Sequence, residues 1–145
     1  MAKIYLNPER CIGCRSCEVA CEREHGHPRI SVGTVSDLAA VPLYCHQCDA
    51  APCAAVCCTG SLRQDGDMVK FNPDLCTLCG LCLVACPFGA IELDSMIQRC
   101  DLCIERGMPV CVTTCPAEAL VLGDVDVVTR STRGRAAAVL AARLR

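Results

Sequence analysis

The sequence predicts an α+β fold: short β-hairpins and brief helices packed around inorganic centres, in two similar halves. Three observations lead there. Seventeen cysteines lie in 145 residues, far above ordinary usage, and such a density demands a covalent or metal framework. The cysteines fall into four groups, each ending in C-x3-C, which is an internal repeat. The large side chains of an ordinary core are also scarce, with no Trp and only Tyr5, Tyr44, Phe71 and Phe88 as aromatics. A small chain with so little to bury leans on staples.

The third group is the most explicit. Within Leu75–Ile91, Cys76, Cys79, Cys82 and Cys86 followed by Pro87 read C-x2-C-x2-C-x3-C-P. This is the run that holds a [4Fe–4S] cubane in bacterial ferredoxins, where the fourth cysteine normally ligates a different cluster. Three thiolates at x2 intervals on a tight loop can curl around one cube, and the proline stops the helix that follows. Cys11, Cys14, Cys17 and Cys21 repeat the spacing. Cys45, Cys48, Cys53 and Cys57 stretch the middle interval to x4, and Cys100, Cys103, Cys111 and Cys115 stretch it to x7. The unequal interval reads as a loop insertion between ligands. Zinc prefers separated cysteine pairs, so a third cysteine at a further x2 is surplus to a zinc design. Disulfides suit secreted chains, but the first ten residues carry neither an apolar signal core nor a twin arginine. A reducing cytoplasm is the expected compartment, and dense cysteines there mean metal.

Between the groups lie strand and turn signals. Lys3–Leu6 alternates and reads as an edge strand. Ile30–Val35 and Leu38–Leu43 flank Ser36-Asp37 as a hairpin joining groups one and two. Ser61–Gln64 and Met68–Phe71 flank Asp65-Gly66-Asp67, whose Asp-Gly pair is a good hairpin turn. Ala90–Leu93 and Ala119–Leu122 follow the prolines of groups three and four. Brief helices are expected at Cys17–Glu24, Ala54–Cys57, Leu81–Ala85 and Val112–Cys115.

Charge divides the chain. Residues 1–128 carry nine Lys/Arg against sixteen Asp/Glu, net −7, whereas residues 129–145 carry five arginines and no acid. Residues 1–128 are therefore expected to form the cluster domain. Residues 129–145 form a basic C-terminal tail, rich in helix formers from Gly134 to Arg145. The tail reads as a solvated terminal helix or as a docking element for an acidic or apolar partner surface. An anionic body with four-thiolate clusters is not a nucleic-acid binder, and no apolar run is long enough to cross a membrane.

With all four groups placed, the chain resembles the four-cluster, ferredoxin-like electron-transfer subunits of oxidoreductases, in effect a duplicated bacterial 2[4Fe–4S] ferredoxin. Those subunits serve dimethyl sulfoxide reductase, formate dehydrogenase, formate hydrogenlyase, tungsten aldehyde oxidoreductase and carbon monoxide dehydrogenase-linked hydrogenase. The resemblance spans about Lys3 to Leu122 and rests on Cys45-His-Gln-Cys-Asp-Ala-Ala-Pro-Cys53 and Arg99-Cys-Asp-Leu-Cys103. It implies four [4Fe–4S] clusters with crossed ligation. Cluster 1 would take Cys11, Cys14, Cys17 and Cys115, and cluster 2 would take Cys100, Cys103, Cys111 and Cys21. Cluster 3 would take Cys45, Cys48, Cys53 and Cys86, and cluster 4 would take Cys76, Cys79, Cys82 and Cys57. It implies a non-catalytic relay of single electrons. One partner would be a catalytic subunit with a molybdenum or tungsten pterin or a nickel–iron–sulfur centre, and the other an electron-accepting flavin/NAD subunit or hydrogenase. A free polyferredoxin and an iron–sulfur redox sensor are the alternatives.

Two departures from the family stand out. Cys58 occupies the position where proline usually follows the fourth ligand of group two, and it reads as a free thiol. The chain is also shorter than many relatives, without their long insertions, and no anchor is expected. With sixteen spacing-matched thiols present, His25, His27 and His46 read as surface or loop residues. Gly13, Gly80 and Gly89 permit close approach to the clusters. No C-x3-C-x2-C radical site, phosphate-binding glycine loop, flavin motif or nucleophile–base pair is visible.

Overall fold

The structure, a computed structural model, describes residues 2–35 and 39–143. Its strands form four separate antiparallel pairs. β2 (Ile30–Val35) and β3 (Ala39–Tyr44) run in register Ile30↔Tyr44; the Ser36-Asp37 turn expected between them lies outside the described residues. β4 (Leu62–Asp65) and β5 (Met68–Phe71) close around Gly66, as the Asp-Gly signal predicts. β6 (Ile91–Leu93) and β7 (Ile97–Arg99) form a hairpin between groups three and four; sequence reading missed its second strand.

β1 (Lys3–Leu6) pairs with β8 (Leu120–Gly123), Lys3 opposite Gly123 and Leu6 opposite Leu120. This long-range pair brings the strand before group one beside the strand after group four. Pro42 is tolerated in β3 because a two-stranded pair has only edges.

The helices are short because their sequences stop them. α3 (Leu81–Ala85) and α4 (Val110–Thr114) end at Cys86 and Cys115, whose backbones are extended (ψ 113° and 108°). Each precedes a proline, which disfavours helical geometry in the residue before it. α2 (Pro52–Ala55) begins two residues earlier than the sequence predicts, since Pro52 suits the first turn of a helix. In α1 (Ser16–His25) no proline follows Cys21. The helix continues for another turn to His25 and is stopped by Gly26 at φ 74°, whose N–H donates to the Glu22 carbonyl at 2.7 Å.

Two cores result. Ile4, Ile30, Val32, Tyr44 and Leu120 pack with Cys17, Cys21, Cys100 and Cys111, and α1 lies against α4. Leu62, Val69, Ile91 and Ile97 pack with Cys53 and Cys82, and α2 lies against α3. Polar residues stitch the seam between them. Gln47, fully buried, donates Nε2–H to the Cys100 carbonyl and accepts from Val69 N–H on Oε1, each at 2.9 Å. The buried Arg99 guanidinium donates to the carbonyls of Cys100 and Val69. Beyond β8, α5 (Val125–Arg143) starts earlier than the tail helix the sequence predicts and buries no side chain.

Candidate metal centres

Each group opens with C-x-x-C, and the second residue between its cysteines is left-handed in all four: Gly13 (φ 66°), Gln47 (φ 48°), Leu78 (φ 54°) and Leu102 (φ 61°). Three of these are not glycine, and a side chain there costs about 1–2 kcal/mol. Strain repeated at one position of a motif marks a constraint from function. The constraint here is the tight curl that turns both sulfurs inward. At Gly13 there is also no room, since a Cβ would lie 2.8 Å from Ala40 Cβ.

These loops bring together cysteines distant in the chain. Cys11, Cys14, Cys17 and Cys115 line one small cavity. Cys45, Cys48, Cys53 and Cys86 line a second, walled by Ala51, Val69 and Ile91. Cys57, Cys76, Cys79 and Cys82 line a third, walled by Leu62, Phe71 and Ile97. In each, three cysteines come from one group and one from another. Cys21, Cys100, Cys103 and Cys111 are all buried, the first, second and fourth of them within the first core. Burial, joined by the mutual proximity of Cys100, Cys21 and Cys103, pushes the Cys111 thiol up.

The last cysteine of every group accepts a backbone N–H at its sulfur. Arg29 N donates to Cys21 Sγ (3.2 Å), Leu62 N to Cys57 (3.3 Å), Ala90 N to Cys86 (3.4 Å) and Ala119 N to Cys115 (3.3 Å). Donors lie four or five residues on in three cases and eight in the first, because α1 carries the extra turn.

The donor chemistry fits a polynuclear iron–sulfur group. Burial lifts Cys17 to about 11 and Cys100 to about 12, and raises Cys21, Cys53, Cys82 and Cys103. Grouped thiols with so little water resist ionisation unless positive charge arrives with the ligand, and iron brings it.

The remaining candidates separate clearly. Cys58 is exposed, whereas its neighbour Cys57 faces the third cavity. His27 lies 3.6 Å from Glu92, a loop role as the sequence predicts. His46 does not: it stacks on Tyr44 (4.8 Å between ring centres), lies tilted against Phe88 (4.1 Å) and walls the second cavity. His25 departs further, with Nε2 3.3 Å from Cys103 Sγ. The signal for it was present, since Cys21 and His25 are four apart on a helix that no proline interrupts. Gln47 and Arg99 lie inside the two motifs that carry the family resemblance, but only the tertiary arrangement makes them a seam.

Short hairpins and helices folded around grouped cysteine cavities define a ferredoxin-like iron–sulfur protein. Residues 36–125 match the family model described as "4Fe-4S dicluster domain", and residues 2–22 match a "4Fe-4S binding domain". The chain belongs to the 4Fe-4S dicluster family of ferredoxin-like electron-transfer proteins, and its cofactors are [4Fe–4S] clusters. It is 34% identical to "Iron-sulfur protein" of Rhodospirillum rubrum, over 91% of this chain and 88% of the relative. It is 33% identical to "Electron transport protein HydN" of Escherichia coli, over 83% and 87%. A third relative, "Putative oxidoreductase UacF" of Escherichia coli, is 39% identical over 83% of this chain but only 21% of its own length. No helix among the described residues is long and apolar enough to cross a membrane.

Proposed function

We propose that the chain is a non-catalytic relay subunit carrying four [4Fe–4S] clusters, held as two crossed pairs. The proposed ligand sets are Cys11/Cys14/Cys17/Cys115, Cys21/Cys100/Cys103/Cys111, Cys45/Cys48/Cys53/Cys86 and Cys57/Cys76/Cys79/Cys82. One observation carries this reading: the last cysteine of three groups lines a cavity with three cysteines of another group, the fourth, Cys21, is buried in one core with Cys100 and Cys111, and each of the four sulfurs accepts a backbone N–H. When bound, such clusters supply one-electron chemistry at potentials set by charge, burial and hydrogen bonds to sulfur. The protein's part is to hold them in a chain, exclude water and fix the sulfurs.

A fixed partner is favoured over a freely diffusing carrier by apolar surface beside the third cavity. Leu78 and Leu81 are 43% and 50% exposed there, and Val84 on the same helix is 88% exposed. Such a patch is characteristic of a contact with another protein. The partner proposed is a catalytic oxidoreductase subunit with a molybdenum or tungsten pterin or a nickel–iron–sulfur centre, in the cytoplasm. A flavin/NAD subunit or a hydrogenase would take the electrons onward. The relatives' names, electron transport protein and oxidoreductase, agree with that division of labour.

Anaerobic purification at native expression level tests both parts. The reading expects four clusters that take up electrons reversibly and a companion redox enzyme that co-purifies. Redox-silent clusters would revive a sensor or structural role, and a chain that elutes alone from its native source would favour the free carrier.

A further inference from the structure

His25 is the one side chain, among the described residues, whose nitrogen approaches a cysteine sulfur within hydrogen-bond distance. It reaches Cys103 because α1 runs one turn beyond Cys21, placing Cys21 and His25 on the same face. Its surroundings are built rather than incidental. Arg29 Nη1 lies 2.5 Å from Asp101 Oδ2, Asp101 Oδ1 accepts from Cys103 N–H at 3.0 Å, and the Arg29 amide donates to Cys21 Sγ at 3.2 Å. Two sulfurs of one proposed site are thus held by groups from α1, the loop after it, and group four. The arginine's charge is balanced by Asp101, and with the ring proton on Nε2 the His25 imidazole is the directed dipole at sulfur.

This site is also the most deeply enclosed. Cys21, Cys100, Cys103 and Cys111 are 5–7% exposed, whereas each of the other three sets includes at least one half-buried or exposed cysteine. An added electron places one further negative charge on a cluster, and burial opposes that charge. Left uncompensated, the most buried member of a relay becomes its lowest-potential member and an uphill step. Hydrogen bonds to sulfur act in the opposite direction.

We propose that His25 is a positioning and tuning residue: its Nε2–H bonds Cys103 Sγ and raises the potential of the Cys21/Cys100/Cys103/Cys111 cluster, keeping it within reach of its neighbours. The inference rests on the four-cluster reading above. One electron enters from a low-potential one-electron donor, and none is lost elsewhere. The imidazole keeps its proton, so no proton moves with the electron.

The test is an anaerobic, dithionite-driven potentiometric titration followed by electron paramagnetic resonance, on the full chain. Wild type is compared with His25→Leu, which removes the donor, and His25→Gln, which retains an N–H. Iron content is measured for all three. The expected result is unchanged iron, a downward shift of one midpoint in His25→Leu with the others unmoved, and recovery of most of that shift in His25→Gln. Identical midpoints in wild type and His25→Leu at equal iron would overturn the proposal. So would loss of one cluster's iron from His25→Leu, which would make His25 a ligand or a folding determinant. Wild-type iron far below four clusters would instead sink the underlying reading, whatever the variants do.

Discussion

Gln47 and Cys100 are joined across the seam between the two cores: the fully buried glutamine amide donates to the carbonyl of the buried Cys100 at 2.9 Å. The same side chain accepts from Val69 N–H, so a residue of group two locks a residue of group four to the β4–β5 hairpin. Gln47→Leu would leave the Val69 N–H buried without this acceptor, whereas the Cys100 carbonyl keeps its bond from Arg99. One buried unsatisfied group costs about 1–3 kcal/mol, so a loss of about 2 kcal/mol is expected. The measurement is the rate of cluster bleaching in denaturant, and bleaching should be faster in the variant at unchanged initial iron content.

Crossed ligation makes a prediction that linear ligation does not. Cys86 belongs in sequence with Cys76, Cys79 and Cys82 but lines the cavity of Cys45, Cys48 and Cys53. Cys86→Ala should disrupt the cluster of group two and spare that of group three. Spectra combined with Cys48→Ala in a double variant check it. The second substitution should remove little further iron if both act on one cluster, and a second cluster's iron if they do not.

Gly13→Ala combines two penalties, a left-handed backbone and a Cβ 2.8 Å from Ala40. The backbone alone costs about 1–2 kcal/mol. The cluster of Cys11, Cys14, Cys17 and Cys115 should be lost first on warming, read as an early partial bleaching step absent from wild type.

Lys3 and Asp49 tie β1 to the loop of group two at 2.9 Å. Their hydrogen bond and mutual attraction raise Lys3 above 10.5 and lower Asp49 below 3.8. Lys3's contribution is complete below its unfolded value and fades as pH rises through the raised folded value. Asp49's is complete above its unfolded value and fades as pH falls through the lowered one. The difference in thermal midpoint between wild type and Asp49→Asn should therefore be small and flat from about pH 5 to 9, shrinking beyond either end.

Because α5 buries nothing, truncation after Asp124 should leave iron content and cluster midpoints unchanged. Loss of any cluster on truncation would show that the helix packs on the body in solution.

The sequence made much of this legible because spacing is geometry. Cysteine groups, the Asp-Gly hairpin and the proline stops each act over a few residues, and each element they predict is present within a few residues of its expected place. What escaped depends on residues far apart. The β1–β8 pairing exists only once the two ends of the chain meet, and the Gln47–Arg99 seam and the wall formed by His46 and Phe88 exist only once groups two, three and four pack together. His25 lies between these cases. Its helical spacing from Cys21 was readable, but its contact with Cys103 required group four to fold back over α1.

The most direct test of the central claim is iron and acid-labile sulfide per chain in anaerobically prepared native protein. Four [4Fe–4S] clusters require about sixteen of each, with largely disordered chain after complete chelation. About eight irons, zinc in their place, or cysteines paired as disulfides would contradict it.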